Sequence, residues 1–531
     1  MPETPSTAAE PLVLDGRSLD LDGFHRVAVG GAACRLADAA RRRVEAGRRT
    51  VEAVLASGAV VYGLNTGFGD LANVRIAPDK LVALQEKLVR SHAAGVGEPL
   101  PDAAVRGMLL LRANTLSRGC SGVRPVVVDR LLALLEHELL PVVPSRGSVG
   151  ASGDLAPLAH LALPLLGRGR VRWRGAERDA AGALAEAGLE ALTLAPKEGL
   201  ALINGTQAMT SLVALAALEA RRLVRVADLV GALATDALRG TDAAFDRRLH
   251  ALRPYPGQLA SAGNLWRLLQ GSAIRDSHRR DDVRVQDPYS VRCMPQVHGA
   301  VRDLLTDVEA KLAIELNAVT DNPLVFALDG ADGSAGGGGG ELISGGNFHG
   351  QPMAFAADVL AIALCELGAI SERRTEKLTN ASFSALPPFL VEDAGLNSGF
   401  MIAQVTAAAL ASENKGLAHP ASVDSIPTSA DKEDHVSMGM GAALKLGRVV
   451  DNVRTILAIE LLAAAQGIDL VRGILRARGL PATSSAPLEA LHADLRRRVA
   501  TWDEDREMAP DLAVAEGYLR GAVDAHLGGL A

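Results

Sequence analysis

The sequence is poor in aromatic residues, which make up 3% of its 531 residues, although 48% of the chain is hydrophobic. The apolar content is therefore mostly alanine, leucine and valine. Alanine and leucine have the highest intrinsic helix propensities. This composition predicts a mainly α protein, and the length suggests about two to four domains or one domain of unusual size.

Cysteine is also scarce. The four cysteines, Cys34, Cys120, Cys293 and Cys365, lie far apart in the sequence and form no CxxC pair. This spacing argues against a disulfide framework and against a zinc ribbon. The chain also has no H-E-x-x-H motif, no nucleotide-binding motif and no recognisable pyridoxal site, so we expect no metal and no external cofactor.

Targeting and membrane signals are absent from the sequence. Residues 1–12 contain no basic stretch followed by an apolar one, as a secretory signal would. The apolar stretch 353–367 is interrupted by Asp358 and Glu366, which is typical of a buried helix and not of a membrane span. The net charge is −7, and the short basic runs alternate with acids. We therefore expect a cytosolic protein that binds neither membranes nor nucleic acids.

The composition of the sequence changes near residue 206. Short predicted elements with glycine-rich turns precede it, and long stretches almost free of glycine and proline follow it. Short helices are predicted at 27–47, 80–92, 104–114 and 126–138, and a short strand at 59–62. Long helices are predicted at 206–239, 295–318, 353–378, 400–417 and 436–466. The predicted domains are a tail at 1–12, an N-terminal domain at 13–205, a long-helix bundle at 206–480 and C-terminal helices at 481–531.

Two further features concern packing. Helices as long as those of the predicted bundle have to bury apolar surface on several sides, which favours self-association. The glycine-rich segment 329–340 has no strand-turn-helix pattern around it. It is therefore predicted to be a flexible surface loop and not a phosphate-binding loop.

One glycine-rich segment precedes an apolar helix and allows three interpretations. Its residues are Gly147-Ser148-Val149-Gly150-Ala151-Ser152-Gly153-Asp154. Ser152 or Asp154 could cap the helix. A serine-hydrolase elbow requires G-x-S-x-G, and Asp154 stands where the last glycine should be. In the third interpretation, the Gly153 amide nitrogen attacks the Ala151 carbonyl, and loss of two waters leaves an electrophilic five-membered ring.

Four other polar segments each have an ordinary structural explanation when taken alone, but their combination is characteristic of a functional site. Tyr62 begins a glycine-punctuated turn that runs to Gly69, and Asn204 precedes a long helix. Gln286, Tyr289 and Arg292 lie within seven residues of each other, and Phe348 lies in a glycine-flanked polar loop. Taken singly, Asn204 would be a helix cap, Arg292 a surface ion pair and Phe348 a core residue.

The whole set, in this order from about residue 14 to 470, resembles the ammonia-lyases and aminomutases that use a 4-methylideneimidazole-5-one (MIO) group. Within that family the chain is most similar to the histidine ammonia-lyases, in four stretches: 91–97, 150–160 (GASGDLAPLAH), 395–419 and 431–438 (DKEDHVSM). The resemblance implies a mixed N-terminal domain that bears the MIO loop, and a long central helical bundle of the fumarase/aspartase-like type.

The resemblance also implies a role for each matching residue. Ala151, Ser152 and Gly153 become the MIO ring without any external cofactor, and Asp154 is needed for ring formation. Tyr62 is the base that removes the β-proton, and Arg292 binds the substrate carboxylate, for which its planar fork is well suited. The residues that line or build the MIO site are Asn204, Gln286, Tyr289 and Phe348, and those that face the substrate side chain are His92 and Glu433.

Elimination of ammonia needs an electron sink and a base, since ammonia leaves poorly and a β C–H is barely acidic. The expected reaction converts L-histidine to trans-urocanate, the first step of histidine degradation. A carboxylate at Glu433 can hold an imidazole N–H by a charge-assisted hydrogen bond worth roughly 1.5–3 kcal/mol. The alternative is a tyrosine ammonia-lyase or aminomutase, in which glutamine is usual at this position. Lys432 departs from the family's common glutamine and leaves fine substrate preference open.

The resemblance finally implies a homotetramer in which each active site draws on three subunits. Tyr62, Asn204, Phe348 and Arg292 are then expected to meet only across subunit interfaces.

Overall fold

The computed structural model describes residues 10–67, 69, 73–279, 282, 284–327 and 340–531. These residues form two compact units. The first comprises the described residues up to Leu215 together with Glu309–Asp358 and Pro420–Leu444, and the second comprises Ala216–Val308, Val359–His419 and Lys445–Ala531. Each unit is thus assembled from several chain segments. The domains expected from the sequence are, in contrast, four continuous stretches of the chain. That division remains a prediction.

The chain is mainly helical, as predicted. Up to residue 203 the helices are α1 (Leu21–Ala28), α2 (Asp38–Ala56), α3 (Leu81–His92), α4 (Asp102–Leu116), α5 (Pro125–Glu136), α6 (Leu155–Ala162), α7 (Ala180–Glu186) and α8 (Glu198–Ile203). Capping hydrogen bonds and first-turn prolines determine where several of these helices begin. The Asp20 side chain accepts a hydrogen bond from the Gly23 N–H at the N-terminus of α1, and Pro125 occupies the first turn of α5, where its missing N–H costs nothing.

The strands of the described residues are short and form four small sheets. Strands β1 (Leu12–Leu14) and β2 (Cys34–Leu36) pair in parallel, and the other pairings are antiparallel. They join β3 (Val96–Pro99) to β5 (Pro144–Arg146), β6 (Arg170–Trp173) to both β4 (Leu140–Pro141) and β7 (Ala176–Asp179), and β8 (Leu324–Ala327) to β9 (Gly340–Ile343).

The remaining helices include the five long ones that were predicted. They are α9 (Gln207–Ala237), α10 (Arg247–Ala251), α11 (Pro256–Leu269), α12 (Ala273–Asp276), α13 (Tyr289–Arg292), α14 (Met294–Glu315), α15 (Gln351–Thr379), α16 (Ala381–Ser384), α17 (Met401–Leu417), α18 (Gly439–Ala477), α19 (Ala486–Arg496) and α20 (Met508–Arg520). Helix α18, with 39 residues, is about 58 Å long at 1.5 Å per residue. The predictions at 206–239, 295–318, 353–378, 400–417 and 436–466 are confirmed.

Helix α15 is, among the described residues, the one helix long and apolar enough to cross a membrane, with a mean hydropathy of 2.0 over its most apolar stretch. However, 67% of that stretch is buried inside the protein. A core helix has the same length and composition, so this helix by itself does not indicate a membrane span.

Two predictions of local structure are wrong, for identifiable reasons. The helix expected at 27–47 is interrupted, because α1 ends at Ala28 and strand β2 pairs with β1 before α2 begins at Asp38. The strand expected at 59–62 is a turn instead. The Asn65 side chain accepts a hydrogen bond from the Val61 N–H at 2.9 Å and donates one to the Ala59 carbonyl at 2.8 Å, which satisfies backbone groups that a strand partner would otherwise take.

The core of the first unit holds this turn in place. Leu64 is fully buried and forms an apolar cluster with Val51 of α2 and Val325 of β8. Tyr62, two residues earlier, is thereby fixed at the edge of the core. The expected glycine-rich loop at 329–340 lies, apart from Gly340, outside the described residues.

Candidate active site

The segment that carries Ala151-Ser152-Gly153 is a tight turn before helix α6. Gly153 has a φ of +69°, and a Cβ atom at this position would overlap the Gly205 carbonyl group. Only glycine combines that conformation with so close a backbone approach. The Asp154 N–H donates to the same Gly205 carbonyl at 2.7 Å. The turn is therefore held against the loop that contains Asn204 and Gly205.

Asp154 anchors this turn through its buried carboxylate. It accepts hydrogen bonds from the Met209 N–H and from the Ser148 hydroxyl, both at 2.9 Å. Burial raises the pKa of Asp154 to about 6, although these hydrogen bonds oppose the shift. Its side chain does not cap α6, so the helix-cap interpretation of this residue is wrong.

Asn204, in the loop that packs against this turn, contacts the turn directly. Its amide Nδ2 donates to the Ser152 carbonyl oxygen at 2.9 Å. Its Oδ1 is buried and has no hydrogen-bond partner among the described residues. A donor fixed at the Ser152 oxygen stabilises negative charge that develops there, and this is the property that an electron-accepting ring built from Ser152 requires. The residues present thus fit such a ring.

Arg112 of α4 fixes the backbone of Asn204. The fully buried guanidinium donates to the Asn204 carbonyl at 3.0 Å from Nη1 and 3.1 Å from Nη2, and to the Ala201 carbonyl at 2.6 Å. Burial lowers the pKa of Arg112 to about 10, a value at which the guanidinium still carries its charge at neutral pH. Asn204 is therefore held by a buried cation and not by solvent-exposed contacts.

A cavity of about 560 Å³ opens beside this turn within the first unit. Six of the residues singled out from the sequence line it: Tyr62, His92, Ser152, Asn204, Phe348 and Glu433. The expectation that Tyr62, Asn204 and Phe348 meet only across subunit interfaces is wrong. The segments that carry them fold together in one compact unit of a single chain, so no second chain is needed to bring them into one cavity.

His92 closes helix α3 at the wall of the cavity. Its Nδ1 lies 2.9 Å from the Leu88 carbonyl oxygen. Because a carbonyl can only accept, Nδ1 carries the proton in the neutral ring and Nε2 is left as an acceptor. The Tyr62 hydroxyl forms no hydrogen bond with any residue that the structure describes. Both side chains therefore have polar atoms available to a molecule in the cavity.

Glu433 makes the most specific contact in the cavity. Its Oε1 accepts a hydrogen bond from the Ser152 hydroxyl at 2.9 Å, and its Oε2 accepts one from the Thr428 hydroxyl at 2.6 Å. A half-buried carboxylate thus faces the serine of the ring-forming turn. Glu433 is therefore not a solvent-exposed acid of the charged run 431–434, but a residue held at the ring-forming turn.

Besides Ala151, Gly153 and Asp154 of the turn itself, three of the predicted residues do not line this cavity. Gln286, Tyr289 and Arg292 belong to the second unit. Tyr289 is 70% exposed, the Arg292 guanidinium lies 4.6 Å from the centre of its ring, and Arg292 Nε is buried without a partner among the described residues. Arg292, which the resemblance implies binds the substrate carboxylate, is therefore not among the residues that line the cavity with Glu433.

The structure adds lining residues that the sequence analysis missed, among them Lys87, Asn322 and Ser429. Asn322 could have been suspected, because it precedes Pro323, and an Asn-Pro pair is a turn signal. Lys87 and Ser429 carry no such signal. Within the described ranges, no three His, Cys, Asp or Glu side chains are grouped so that they could hold a metal ion.

Comparison with known protein sequences shows the family that this chain resembles. A sequence model of the family described as "Aromatic amino acid lyase" matches residues 19–497. A histidine ammonia-lyase of Anaeromyxobacter sp. (strain K) is 56% identical over 513 residues, which are 95% of this chain and 97% of that protein.

Solved structures agree in the same way. The crystal structure of histidine ammonia-lyase from Trypanosoma cruzi has a TM-score of 0.87 at 44% identity, and the alignment covers 98% of this chain and 95% of that chain. Tyrosine aminomutase from Streptomyces globisporus has a TM-score of 0.89 at 38% identity, with 98% and 99% covered. The expected ammonia-lyase architecture is confirmed, and the chain belongs to the aromatic amino acid lyase family.

Proposed function

We propose that this protein is a histidine ammonia-lyase that eliminates ammonia from L-histidine to give trans-urocanate. The observation that carries the proposal is the Glu433 carboxylate, 2.9 Å from the Ser152 hydroxyl in a cavity that His92 and Tyr62 also line. A carboxylate beside the reacting group suits a substrate side chain with an N–H to donate, as imidazole has. The relatives named histidine ammonia-lyase, at 51–56% identity over nearly the whole chain, support the same substrate.

The electrophile of the reaction is, in this proposal, an MIO ring made from Ala151-Ser152-Gly153. The Gly153 nitrogen bonds to the Ala151 carbonyl carbon, whose oxygen leaves as water. The Ser152 hydroxyl and the Ser152 α-hydrogen leave as a second water, so no oxidant is required. The ring supplies an electrophilic carbon that withdraws electrons from the substrate amine. Asp154 anchors the turn during closure, and Asn204 donates to the oxygen of Ser152 that becomes the ring's carbonyl oxygen.

The other residues bind and orient the substrate. Tyr62 removes the β-proton, for which its unpartnered hydroxyl in the cavity is suited. His92 and Glu433 hold the imidazole ring, and Arg292 pairs with the substrate carboxylate. Gln286, Tyr289 and Phe348 complete the surroundings of the ring, with Tyr289 as the second candidate for the base.

The active form is proposed to be a homotetramer in the cytosol, without external cofactor or metal. The argument is that one chain leaves Gln286, Tyr289 and Arg292 outside the lining of the cavity. Lys87 lines it, but a lysine lacks the planar fork of an arginine, which suits a bidentate contact with the substrate carboxylate. A neighbouring subunit would supply these residues. Sedimentation should give a species near four chains, and a fully active monomer would refute this part of the proposal.

Two measurements on the purified protein test the proposed function. The intact mass should fall short of the encoded chain by two waters, and the few aromatic residues leave the ultraviolet absorbance of the ring easy to detect. Added L-histidine should then yield urocanate, whereas L-tyrosine should yield neither coumarate nor a β-amino acid. An unmodified mass in folded protein would reject the ring, and coumarate or β-tyrosine as the main product would favour the tyrosine ammonia-lyase or aminomutase alternative.

A further inference from the structure

Both oxygens of the Glu433 carboxylate are occupied by hydroxyl donors. Ser152 donates to Oε1 at 2.9 Å and Thr428 donates to Oε2 at 2.6 Å. Two hydrogen bonds to different oxygens fix the plane of a carboxylate as well as its position. The two donors differ in one respect that matters for the chemistry: only Ser152 belongs to the ring-forming turn.

The turn between Thr428 and Glu433 is built to keep these two residues together. Their backbones pair in both directions, with N···O distances of 3.0 Å and 3.3 Å. The intervening Ser429, Ala430 and Asp431 all have positive φ, between 52° and 62°. Three consecutive non-glycine residues in the left-handed region are strained, and such strain persists only where surrounding contacts enforce it. The side-chain contact from Thr428 to Glu433 is part of that enforcement.

Ring formation changes the two hydrogen bonds unequally. The Ser152 hydroxyl leaves as water, so Glu433 Oε1 loses its donor and becomes available to another one. The Thr428 hydroxyl takes no part in the ring and keeps its bond to Oε2. Maturation of the turn therefore leaves Oε1 without its side-chain donor, while the bond from Thr428 to Oε2 still orients the carboxylate in the cavity.

We propose that Thr428 is a positioning residue for substrate recognition, which holds Glu433 so that the oxygen released by ring formation points at the substrate's side chain. The proposal rests on the proposed function, because it requires both the ring and the role of Glu433. Without the Thr428 hydroxyl, the carboxylate can rotate and its second oxygen needs a new donor. The substrate N–H then meets a less ordered acceptor.

The test compares Thr428→Val, which keeps the branched shape and removes the hydroxyl, with Thr428→Ser, which keeps the hydroxyl. Loss of one charge-assisted hydrogen bond predicts that Thr428→Val lowers kcat/KM for histidine roughly 10–100-fold, while Thr428→Ser stays within a few-fold of wild type. Thr306→Val is the matched control, since among the described residues the Thr306 hydroxyl bonds only to the Arg302 carbonyl of its own helix.

Two further readouts separate positioning from a general loss of structure. Inhibition by urocanate, which has the imidazole ring, should weaken in Thr428→Val, whereas inhibition by glycine, which has only the amino and carboxylate groups, should not change. In a Glu433→Gln background, Thr428→Val should have little additional effect, because residues that act through each other are not additive.

The possible results distinguish failure of the proposed function from failure of the role of Thr428 alone. A wild-type mass without the loss of two waters would mean that the proposed function itself fails. Full histidine turnover in Glu433→Gln would leave that function standing and overturn the role of Glu433, and with it the role of Thr428. An impaired Glu433→Gln with a normal Thr428→Val would overturn only the role of Thr428. A Thr428→Val protein that folds with an unmodified mass would also overturn it, because Thr428 would then act on ring formation. If Thr428→Val does not fold, Thr428→Ala undergoes the same comparisons.

Discussion

Tyr62→Phe tests the central chemical assignment with the smallest change. Phenylalanine keeps the ring that lines the cavity and removes only the hydroxyl. That hydroxyl has no hydrogen-bond partner among the described residues, so its removal leaves no buried donor or acceptor unsatisfied there and should change the free energy of unfolding by less than about 1 kcal/mol. A general base contributes roughly 10²–10⁴-fold to turnover, which corresponds to about 3–5 kcal/mol of activation free energy. The predicted loss of rate thus exceeds the predicted loss of stability severalfold.

The assay follows urocanate absorbance, with the intact mass and ultraviolet spectrum of the same sample as a check on the ring. Ala151-Ser152-Gly153 is unchanged, so the loss of two waters should persist while urocanate production nearly stops. Tyr255→Phe is the control, because Tyr255 is 57% exposed and does not line the cavity. If Tyr62→Phe turns over histidine within about threefold of wild type, a threshold far below the effect of a lost base, the base is elsewhere and Tyr289 becomes the candidate.

Three other substitutions test neighbouring parts of the site. Glu433→Gln keeps the size of the side chain and removes its charge, so kcat/KM for histidine should fall roughly tenfold or more; unchanged turnover would leave selectivity to His92 or Lys432. Gly153→Ala adds a Cβ that overlaps the Gly205 carbonyl, so mass spectrometry should find the chain without the loss of two waters, and a normal ring in this variant would contradict the turn geometry. Because burial raises the pKa of Asp154 to about 6, its contribution to stability is present below the ordinary pKa and is lost as the pH rises through 6. Asp154→Asn should therefore gain about 1 kcal/mol relative to wild type between pH 5 and pH 8 in thermal unfolding, and an equal difference at both pH values would contradict the burial argument.

The long helices were predictable because nothing in their sequences interrupts the apolar pattern. Helix α9 and helix α18 are each longer than 30 residues and start and end within a few residues of the predicted bounds, except that α18 continues to Ala477. The errors occurred where tertiary contacts decide the backbone. Cys34–Leu36 becomes a strand only because β1 lies beside it, and no local pattern indicates a partner 22 residues earlier.

The site was predictable to the extent that its residues carry motifs. Ser152, Asn204 and Glu433 stand in recognisable stretches, and the structure brings them within hydrogen-bond distance. Thr428 stands in no such motif, since its role depends on a turn whose three left-handed residues are ordinary Ser, Ala and Asp. Glycine visits the left-handed region routinely and asparagine or aspartate occasionally, but serine and alanine rarely do. A conformation that the sequence does not favour cannot be found from the sequence, and here it positions the side chain that faces Ser152.

Two buried charged side chains, Asp154 and Arg112, hold the turn at Gly153 against the loop at Asn204. Asp154 is fully buried and is satisfied by the Met209 N–H and the Ser148 hydroxyl, and Arg112, equally buried, is satisfied largely by the Ala201 and Asn204 carbonyls. Moving the turn at Gly153 away from the loop at Asn204 would separate Asp154 from Met209 and leave a carboxylate without a donor in a region that water does not reach. A buried charge that loses its partners costs several kcal/mol. The same contacts that stabilise the buried Asp154 carboxylate therefore hold the Ser152 carbonyl against the Asn204 amide. In the proposed ring closure, these groups would already be in place.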